Sequence, residues 1–272
     1  MRCRLYTLQQ SGSLKLIQIT DTHLNEPEDG HLLGMKTLHS LNCVLDLVRQ
    51  EQPHIDAILV TGDLSQDGSP RSYQHLRTAL DAFPVPSFWL AGNHDERSAM
   101  QSADIPGDHL IRVVRSAHWQ VVLINSQVAG KVYGRISQSE LDFLDQTLAE
   151  RPDLHSLVTF HHHPVDMGSR WIDTIGIRNA DQLLEVIDRH SHVRCLLWGH
   201  VHQESDQDRN GVRLLSTPST CVQFAPGSED FAVDTLAPGY RWLELHADGR
   251  LDTGVSRVEG IDFEIDYSVK GY

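Results

Sequence analysis

Histidine, aspartate and asparagine side chains gather in five short segments of the sequence. Seven of the 17 histidines lie in four of these segments. The five segments are Asp21-Thr22-His23, Gly62-Asp63, Gly92-Asn93-His94-Asp95, His161-His162-His163-Pro164 and Gly199-His200-Val201-His202. A donor set of imidazole nitrogens with carboxylate and amide oxygens, and without sulfur, favours Mn²⁺, Fe²⁺, Zn²⁺ or Co²⁺ over copper(I) or an iron–sulfur cluster. Mg²⁺ or Ca²⁺ alone would not need so many imidazoles.

A pair of such cations would suit the hydrolysis of phosphate esters. Two cations about 3.5–4 Å apart clamp an in-line displacement at phosphorus, and a water shared between them loses its proton near neutral pH. Asp63 follows a glycine, which suits a carboxylate placed between two cations, and Asn93 would bind through its carbonyl oxygen. The bridging hydroxide would attack phosphorus, and His94 would give a proton to the leaving oxygen. Asp95 is expected to hold the imidazole of His94 in place.

Each of the five segments follows an apolar run that is typical of a buried strand. The sequence predicts these strands at 14–20, 56–61, 87–91, 155–160 and 193–198, with amphipathic helices at 35–50 and 70–82 between the first three. This order is that of two consecutive βαβ units. Ligands of an open α/β sheet bind outside the carboxyl ends of its strands, so the five segments should meet at one rim. Any one segment could be an ordinary turn, but five in the same position predict a single site.

The remaining pattern adds further elements around this frame. A strand pair is predicted at 111–114 and 119–125, and Ser137 with Glu140 fits a capping box at the start of a helix. Asn179 with Gln182 is expected to cap another helix, and the loop at 165–178 is expected to act as a lid or specificity loop. Alternating segments then predict antiparallel strands that cover the sheet, at 212–216, 240–246 and 251–258. The whole chain, 1–272, is predicted to form a single domain.

Composition and charge exclude several classes of partner. The net charge is −14 and the isoelectric point is near 5.6, which argues against a nucleic-acid polymer and against an anionic membrane surface. A small phosphate ester is still compatible, because bound cations reverse the local field. The sequence has no apolar run of about 18 residues and no signal-peptide core at its start. Four cysteines without close pairs predict a reduced, cytoplasmic location and argue against a thiolate metal site.

The five segments, in this order, resemble the motifs of the calcineurin-like metallophosphoesterase superfamily. Within it, the chain resembles the class III bacterial cyclic nucleotide phosphodiesterases over nearly its whole length. Stretches outside the five segments carry this second likeness, and they are 177–180, 216–224 and 234–240. The fold that the resemblance implies is a four-layer α/β/β/α sandwich, which agrees with βαβ units followed by antiparallel strands.

The resemblance also implies a role for each site residue. One cation would be held by Asp21, His23, Asp63 and His202, and the other by Asp63, Asn93, His162 and His200. Asp63 would bridge the two cations, and the catalytic residues would be His94 and Asp63. The substrate contacts that the resemblance implies are those of His23, Asp63, Asn93, His94, His162 and His202. Three histidines precede Pro164 here, where relatives usually have two, so His161 is the alternative ligand to His162.

The activity that the resemblance implies is hydrolysis of 3′,5′-cyclic AMP to 5′-AMP with two divalent cations, Fe²⁺ or Mn²⁺ first and Zn²⁺ or Co²⁺ next. Such an enzyme would lower intracellular cyclic AMP. A broader phosphodiesterase, acting on 2′,3′-cyclic nucleotides or glycerophosphodiesters, is the alternative. A protein-binding scaffold without activity is a third reading, and the presence of every ligand position weighs against it.

Overall fold

The structure, a computed structural model, describes residues 5–9, 12–104 and 109–271. The strands in chain order are β1 (Leu5–Thr7), β2 (Leu14–Ile19), β3 (His31–Leu32), β4 (Met35–Lys36), β5 (Ala57–Thr61), β6 (Ser87–Leu90), β7 (Val113–Arg115), β8 (Trp119–Leu123), β9 (His155–Thr159), β10 (Val193–Trp198), β11 (Ser205–Arg209), β12 (Val212–Ser216), β13 (Gly239–Leu245) and β14 (Leu251–Arg257). The helices are α1 (Thr37–Glu51), α2 (Pro70–Leu80), α3 (Arg97–Ala103), α4 (Gln138–Glu150), α5 (Arg170–Asp173) and α6 (Ala180–Asp188).

Most of these strands belong to two mixed sheets. Among the described residues, the larger sheet has seven strands in the order β1-β7-β8-β9-β10-β12-β11, and the smaller has five in the order β14-β13-β2-β5-β6. The centre of each sheet is parallel, through β8-β9-β10 in the larger sheet and β2-β5-β6 in the smaller. The strands that precede the five predicted site segments are therefore divided between the sheets, with β2, β5 and β6 in one and β9 and β10 in the other.

Side-chain alternation along the strands builds a four-layer sandwich. In β2, Leu16 points into an apolar cluster between the two sheets, whereas Ile17 joins a cluster that includes Leu41 and Leu45 of α1. On the outer face of the larger sheet, Val158 of β9 packs in a cluster with Leu144 of α4. Successive side chains of a strand point to opposite faces, so each central strand serves two cores. The layers are helix, sheet, sheet and helix, which confirms the predicted fold class.

Local sequence signals explain where the helices begin. Ser69 accepts a hydrogen bond from the backbone N–H of Ser72, and Pro70 occupies the first position of α2, as expected of a helix start. Ser137 accepts from the N–H of Glu140 at the start of α4, but the Glu140 carboxylate binds the N–H of Asn125 and the side chain of Arg112. Only the serine half of the predicted capping box is therefore formed.

Three expectations about the rest of the chain are corrected. Strand β12, at 212–216, lies inside the larger sheet, parallel to β10 and antiparallel to the edge strand β11, which the sequence did not predict. Strands β13 and β14 are antiparallel, but they extend the edge of the smaller sheet beside β2 and do not cover a face. The side chain of Asn179 does not cap α6, since its oxygen accepts from the N–H of Ile136 and its amide donates to Gln182.

The loop predicted at 165–178 contains the short helix α5. Within the described part of the chain, no helix combines the length and the apolar character that a membrane span requires. The cysteines in the described residues, Cys43, Cys195 and Cys221, are free thiols, and Cys3 lies outside those residues.

Candidate metal centre

The five predicted segments meet along the seam between the two sheets. Each segment begins where its strand ends, three on the smaller sheet and two on the larger. The possible metal-binding atoms form four overlapping groups, and within each group all atoms lie within 4.8 Å of one another. The groups are Asp21, His23 and His202; His23, Asp63 and His94; Asp21, Asp63 and His161; and His161, His162 and His200. The predicted site residues from both halves of the chain are thus brought together at one place.

Five of these residues have an unusual backbone conformation. Asp21, His23, Asp63, His200 and His202 all have positive φ, between 44° and 67°. A non-glycine residue in the left-handed region costs of the order of 1–3 kcal/mol and persists only where the surrounding structure imposes it. The bend at each residue lets neighbouring ligands, such as His200 and His202, turn toward the same point although an extended chain would send them apart.

The first group of donors is built from Asp21, His23 and His202. The Nε2 atom of His202 lies 3.3 Å from Asp21 Oδ1 and 3.3 Å from the Nε2 atom of His23. The opposite ring nitrogens are held outside the group, since His23 Nδ1 lies 2.7 Å from Gln66 Oε1 and His202 Nδ1 lies 2.7 Å from the carbonyl oxygen of Val222. Such contacts fix the tautomer and the ring orientation, so both Nε2 atoms face the carboxylate as a metal ligand would.

The second group surrounds His161. Its Nε2 atom lies 3.1 Å from Asp63 Oδ2 and 3.2 Å from Asn93 Oδ1, and its Nδ1 atom lies 2.9 Å from the carbonyl oxygen of Thr61. The same Asp63 oxygen lies 3.9 Å from His23 Nε2 in the first group. Asp63 therefore lies between the two groups, and its role as a bridging ligand stays a prediction.

Two further imidazoles point polar atoms into the site. The Nε2 atoms of His162 and His200 are buried and have no hydrogen-bond partner among the described residues, and the two rings are 4.6 Å apart. The other nitrogen of His162, Nδ1, is held 2.8 Å from Ser126 Oγ. A buried polar atom without a partner costs about 1–3 kcal/mol, so the neutral imidazole of His200, with its free Nε2 atom, fits a bound cation.

The charges of the site also fit cations. Burial raises the pKa of both Asp21 and Asp63, but the neighbouring imidazoles outweigh it and lower both values below the usual range. Burial lowers the pKa of His161, yet the carboxylates of Asp63 and Asp21 raise it to about 9. Burial keeps the pKa of His162 and His200 well below the usual value and lowers that of His23 to about 3. The site thus holds two ionised carboxylates among imidazoles, most of them neutral, which is a donor set for divalent metal.

Asp95 has a different role from the predicted one. Its carboxylate accepts hydrogen bonds from the backbone N–H groups of Leu64, Ser65 and Gly92 and from the hydroxyl of Tyr73, and none of these partners is His94. Burial raises the pKa of Asp95 to about 6, with a further contribution from the charge of Asp63. Asp95 ties the turn that carries Asp63 to the turn that carries Asn93 and His94, so it fixes the relative position of the two turns through the backbone.

His94 lies at the half-buried edge of the centre. Its backbone N–H donates to Asp63 Oδ1 at 2.8 Å, and its ring makes an edge contact with the ring of His23 at a centroid distance of 5.0 Å. Gly92 allows this turn to come so close, because a Cβ atom there would overlap the Asp63 carboxylate. The imidazole is therefore next to the metal donors and still accessible to a substrate.

Sequence reasoning missed the residues that support the ligands. Gln66, Ser126 and the carbonyl of Val222 orient three of the imidazoles, and Phe224 stacks on His202 with ring centroids 4.1 Å apart. Val222 and Phe224 belong to the stretch 216–224, which carried the family resemblance but no chemical signal of its own. No pattern in the sequence pointed to Gln66 or Ser126, since a lone amide or hydroxyl is common in loops.

Comparisons with known proteins agree with this geometry. Residues 14–204 match the family model described as Calcineurin-like phosphoesterase. The chain is 50% identical over 261 residues to the 3′,5′-cyclic adenosine monophosphate phosphodiesterase CpdA of Pseudomonas aeruginosa, covering 96% of both chains. It is 45% identical over 272 residues to the CpdA of Escherichia coli (strain K12), covering 98% of this chain and 99% of the relative. A dimetal phosphatase from Danio rerio has a similar fold, with a TM-score of 0.62 at 18% identity, over 92% of this chain and all of that one.

Proposed function

The chain belongs to the calcineurin-like phosphoesterase family, and we propose that it hydrolyses 3′,5′-cyclic AMP to 5′-AMP at a centre of two divalent cations. The observation that carries this proposal is the position of Asp63 between two groups of buried donors. Relatives that share 40–50% of their residues with this chain over nearly its whole length carry the name of that activity. In a cell, the reaction would lower the concentration of cyclic AMP.

We assign the ligands of each cation from the two groups. Asp21, His23, Asp63 and His202 would hold the first cation, and Asp63, Asn93, His200 and His161 would hold the second. The contacts of His161 with Asp63 and Asn93 favour it over His162, which the family motif suggested first. The mixed nitrogen and oxygen donors suit Fe²⁺ or Mn²⁺, with Zn²⁺ or Co²⁺ as alternatives.

The cations would supply Lewis acidity and lower the pKa of a water shared between them, as pairs of divalent metals do in other phosphoesterases. His94 would then act as the general acid. Attack of a water-derived hydroxide on phosphorus would form one P–O bond and break the bond between phosphorus and O3′ of the ribose, and His94 would give a proton to that oxygen. Its position beside Asp63 and His23, at the open edge of the site, supports this role. A positioned acid of this kind contributes about 10²–10⁴-fold to the rate.

We further infer a cytoplasmic location. The free thiols of Cys43, Cys195 and Cys221 suit a reducing compartment, and so does a cyclic nucleotide as substrate.

The test is to incubate the protein, reconstituted with Mn²⁺ or Fe²⁺, with 3′,5′-cyclic AMP and to resolve the products. We expect 5′-AMP, and a kcat/KM for 3′,5′-cyclic AMP above that for 2′,3′-cyclic AMP and for glycerophosphodiesters, because specificity is a ratio of these constants. A preference for the other esters would replace the proposal with a broader phosphodiesterase.

The matched control is His94→Ala purified in the same way. It should keep both metals and lose turnover by about 10²–10⁴-fold, which also excludes a contaminating phosphodiesterase as the source of product. If His94→Ala hydrolysed cyclic AMP as fast as the unmodified protein, His94 would not be the general acid.

A further inference from the structure

Strand β8 of the larger sheet also ends at the rim of the candidate metal centre. It runs parallel to β9, with Leu123 opposite Thr159, and the N–H of Ile124 donates to the carbonyl of Thr159 at 3.0 Å. Because β9 leads directly toward His161, the residues that follow β8 reach the same rim. This segment, residues 125–127, therefore lies beside the five predicted segments, although the sequence did not single it out.

Two side chains of this segment hold parts of the centre. The Oγ atom of Ser126 lies 2.8 Å from Nδ1 of His162, which follows β9. The half-buried amide of Gln127 donates to the backbone carbonyl of Asp95 at 2.6 Å, and Asp95 directly follows His94 in the turn after β6. The segment thus connects the larger sheet with the turn that carries the predicted general acid. No step of the proposed reaction uses Gln127.

Two further hydrogen bonds hold this turn from the side of the smaller sheet. The N–H of His94 donates to Asp63 Oδ1 at 2.8 Å, and the N–H of Glu96 donates to the hydroxyl of Tyr73 in α2 at 2.8 Å. Asp63 follows β5, and Tyr73 packs in the apolar cluster on the outer face of the same sheet. The hydrogen bond from Gln127 therefore holds the turn from the opposite side, against the larger sheet.

This arrangement matters because the general acid and most of the imidazole donors come from different sheets. His161, His200 and His202 follow strands of the larger sheet, whereas His94 follows β6 of the smaller one. A general acid must lie within about 2.6–3.2 Å of the atom that receives its proton. A shift of the turn against the larger sheet would move the His94 ring relative to a phosphate held by those donors, and a misplacement of about 1 Å can cost 10²-fold in rate.

We propose that Gln127 is a positioning residue for the general acid, and that it holds the turn so that the imidazole of His94 meets the leaving oxygen. This inference rests on the proposed function, since it takes His94 as the acid that gives a proton to O3′ of the ribose while the bond between phosphorus and O3′ breaks. Gln127 acts through the peptide that follows His94. Its loss should therefore slow the reactions that need a proton at the leaving oxygen and spare those that do not.

The experiment compares two substrates that differ in their leaving group. Gln127→Met keeps the length of the side chain and removes the N–H donor. With Mn²⁺ bound, it is assayed on 3′,5′-cyclic AMP, whose O3′ leaves as a strongly basic alkoxide unless it receives a proton, and on bis(4-nitrophenyl) phosphate, which releases a weakly basic phenolate. We expect kcat for cyclic AMP to fall by about 10- to 100-fold. The kcat for the aromatic diester should stay within about twofold, because that leaving group needs no acid.

A double variant tests whether Gln127 works through His94. If it does, Gln127→Met should cause no further loss of cyclic AMP turnover in a protein that already carries His94→Ala, since both changes remove the same interaction. Gln127→Met should also bind about two Mn²⁺ ions per chain by elemental analysis and melt within about 4 °C of the unmodified protein. These two measurements separate a misplaced acid from a loss of metal or of the fold.

Gln138→Met is the matched control. The amide of Gln138 also donates one hydrogen bond, but to Asp142 on the surface of α4, at 2.8 Å. This variant should leave both substrates unchanged. If Gln127→Met slows both substrates equally, slows neither, loses metal, or adds to the loss in His94→Ala, Gln127 does not position the acid, although the proposed function stands. If the unmodified protein cleaves the aromatic diester but not cyclic AMP, the proposed function fails and this inference fails with it.

Discussion

Backbone strain at the candidate metal centre is found in individual residues that we propose as metal ligands. Asp21, His23, Asp63, His200 and His202 account for five of the seven non-glycine residues with positive φ in the described part of the chain. The residue types and their positions after apolar runs could be read from the sequence, but the left-handed bends could not, because aspartate and histidine adopt that region only where their surroundings require it. The neighbouring histidines 161–163 show the same limit. A shift of one residue changes which ring faces the metals, and spacing alone does not decide it.

The contacts of His161 lead to a prediction about metal content. We expect His161→Ala to bind about one ion per chain after reconstitution with Mn²⁺, because it removes the imidazole that lies 3.1 Å from Asp63 and 3.2 Å from Asn93. His162→Ala should keep nearly two ions, since the assigned ligands remain. Elemental analysis of the desalted proteins measures both. The reverse pattern, with His162→Ala losing an ion and His161→Ala keeping two, would restore His162 as the ligand.

At the level of strands and helices, the sequence predicted most elements and left out how they are shared between two sheets. A strand buried on both faces is an apolar run without alternation, so β2, β5, β9 and β10 look alike in the sequence. The local sequence does not indicate which strands pair with each other. Strand β11 is polar and mostly exposed, so it lacks the apolar pattern from which a strand is predicted. The consequence for the site is large, because ligands from the smaller sheet must meet ligands from the larger one.

A buried polar network links the two sheets close to the centre. Arg241 of β13 is 1% exposed, and its guanidinium donates to the carbonyls of Ser216 and Ser205 in the larger sheet at 2.7 and 3.2 Å. Gln18 of β2 donates to the carbonyl of Trp198, at the end of β10, at 3.2 Å, and to Thr61 Oγ1 at the end of β5 at 2.7 Å. The network thus connects the strand ends that carry Asp21, Asp63 and His200.

Removing the guanidinium should therefore weaken both the fold and the metal centre. We expect Arg241→Met to lower the free energy of unfolding by about 2–4 kcal/mol, because it removes the donor to the carbonyls of Ser205 and Ser216 and to the hydroxyls of Thr217 and Thr253. Metal affinity should fall as well, since the sheets that supply the ligands lose a contact. Denaturant unfolding and a Mn²⁺ titration measure the two effects. Arg209→Met is the control: Arg209 pairs with Asp188 of α6 and, among the described residues, makes no hydrogen bond or ion pair with the smaller sheet, so its loss should cost about 1 kcal/mol or less. Equal effects in the two variants would show that Arg241 does not link the sheets in this way.

At the scale of the whole molecule, the buried carboxylates of the candidate metal centre lie where the two sheets meet. Asp21 and Asp63 are buried carboxylates from the smaller sheet, and they face imidazoles that come mostly from the larger sheet. Without cations, the neighbouring imidazoles are the groups that offset the burial of these two carboxylates. With the proposed cations bound, these residues would join the two sheets through shared metal ions. Metal binding should therefore be coupled to the stability of the entire sandwich and not only to catalysis.

This coupling predicts a change in thermal stability on metal removal. An ion present at 100 times its dissociation constant stabilises the folded state by about 2.7 kcal/mol, so two ions should raise the melting temperature by roughly 5–15 °C over the chelated protein. Differential scanning calorimetry before and after dialysis against EDTA, and again after Mn²⁺ is restored, measures the shift. Asp63→Asn should show a smaller response to Mn²⁺, because the residue placed between the two groups then carries no charge. A melting temperature that is the same with and without metal would mean that the ligands do not join the two sheets through bound ions.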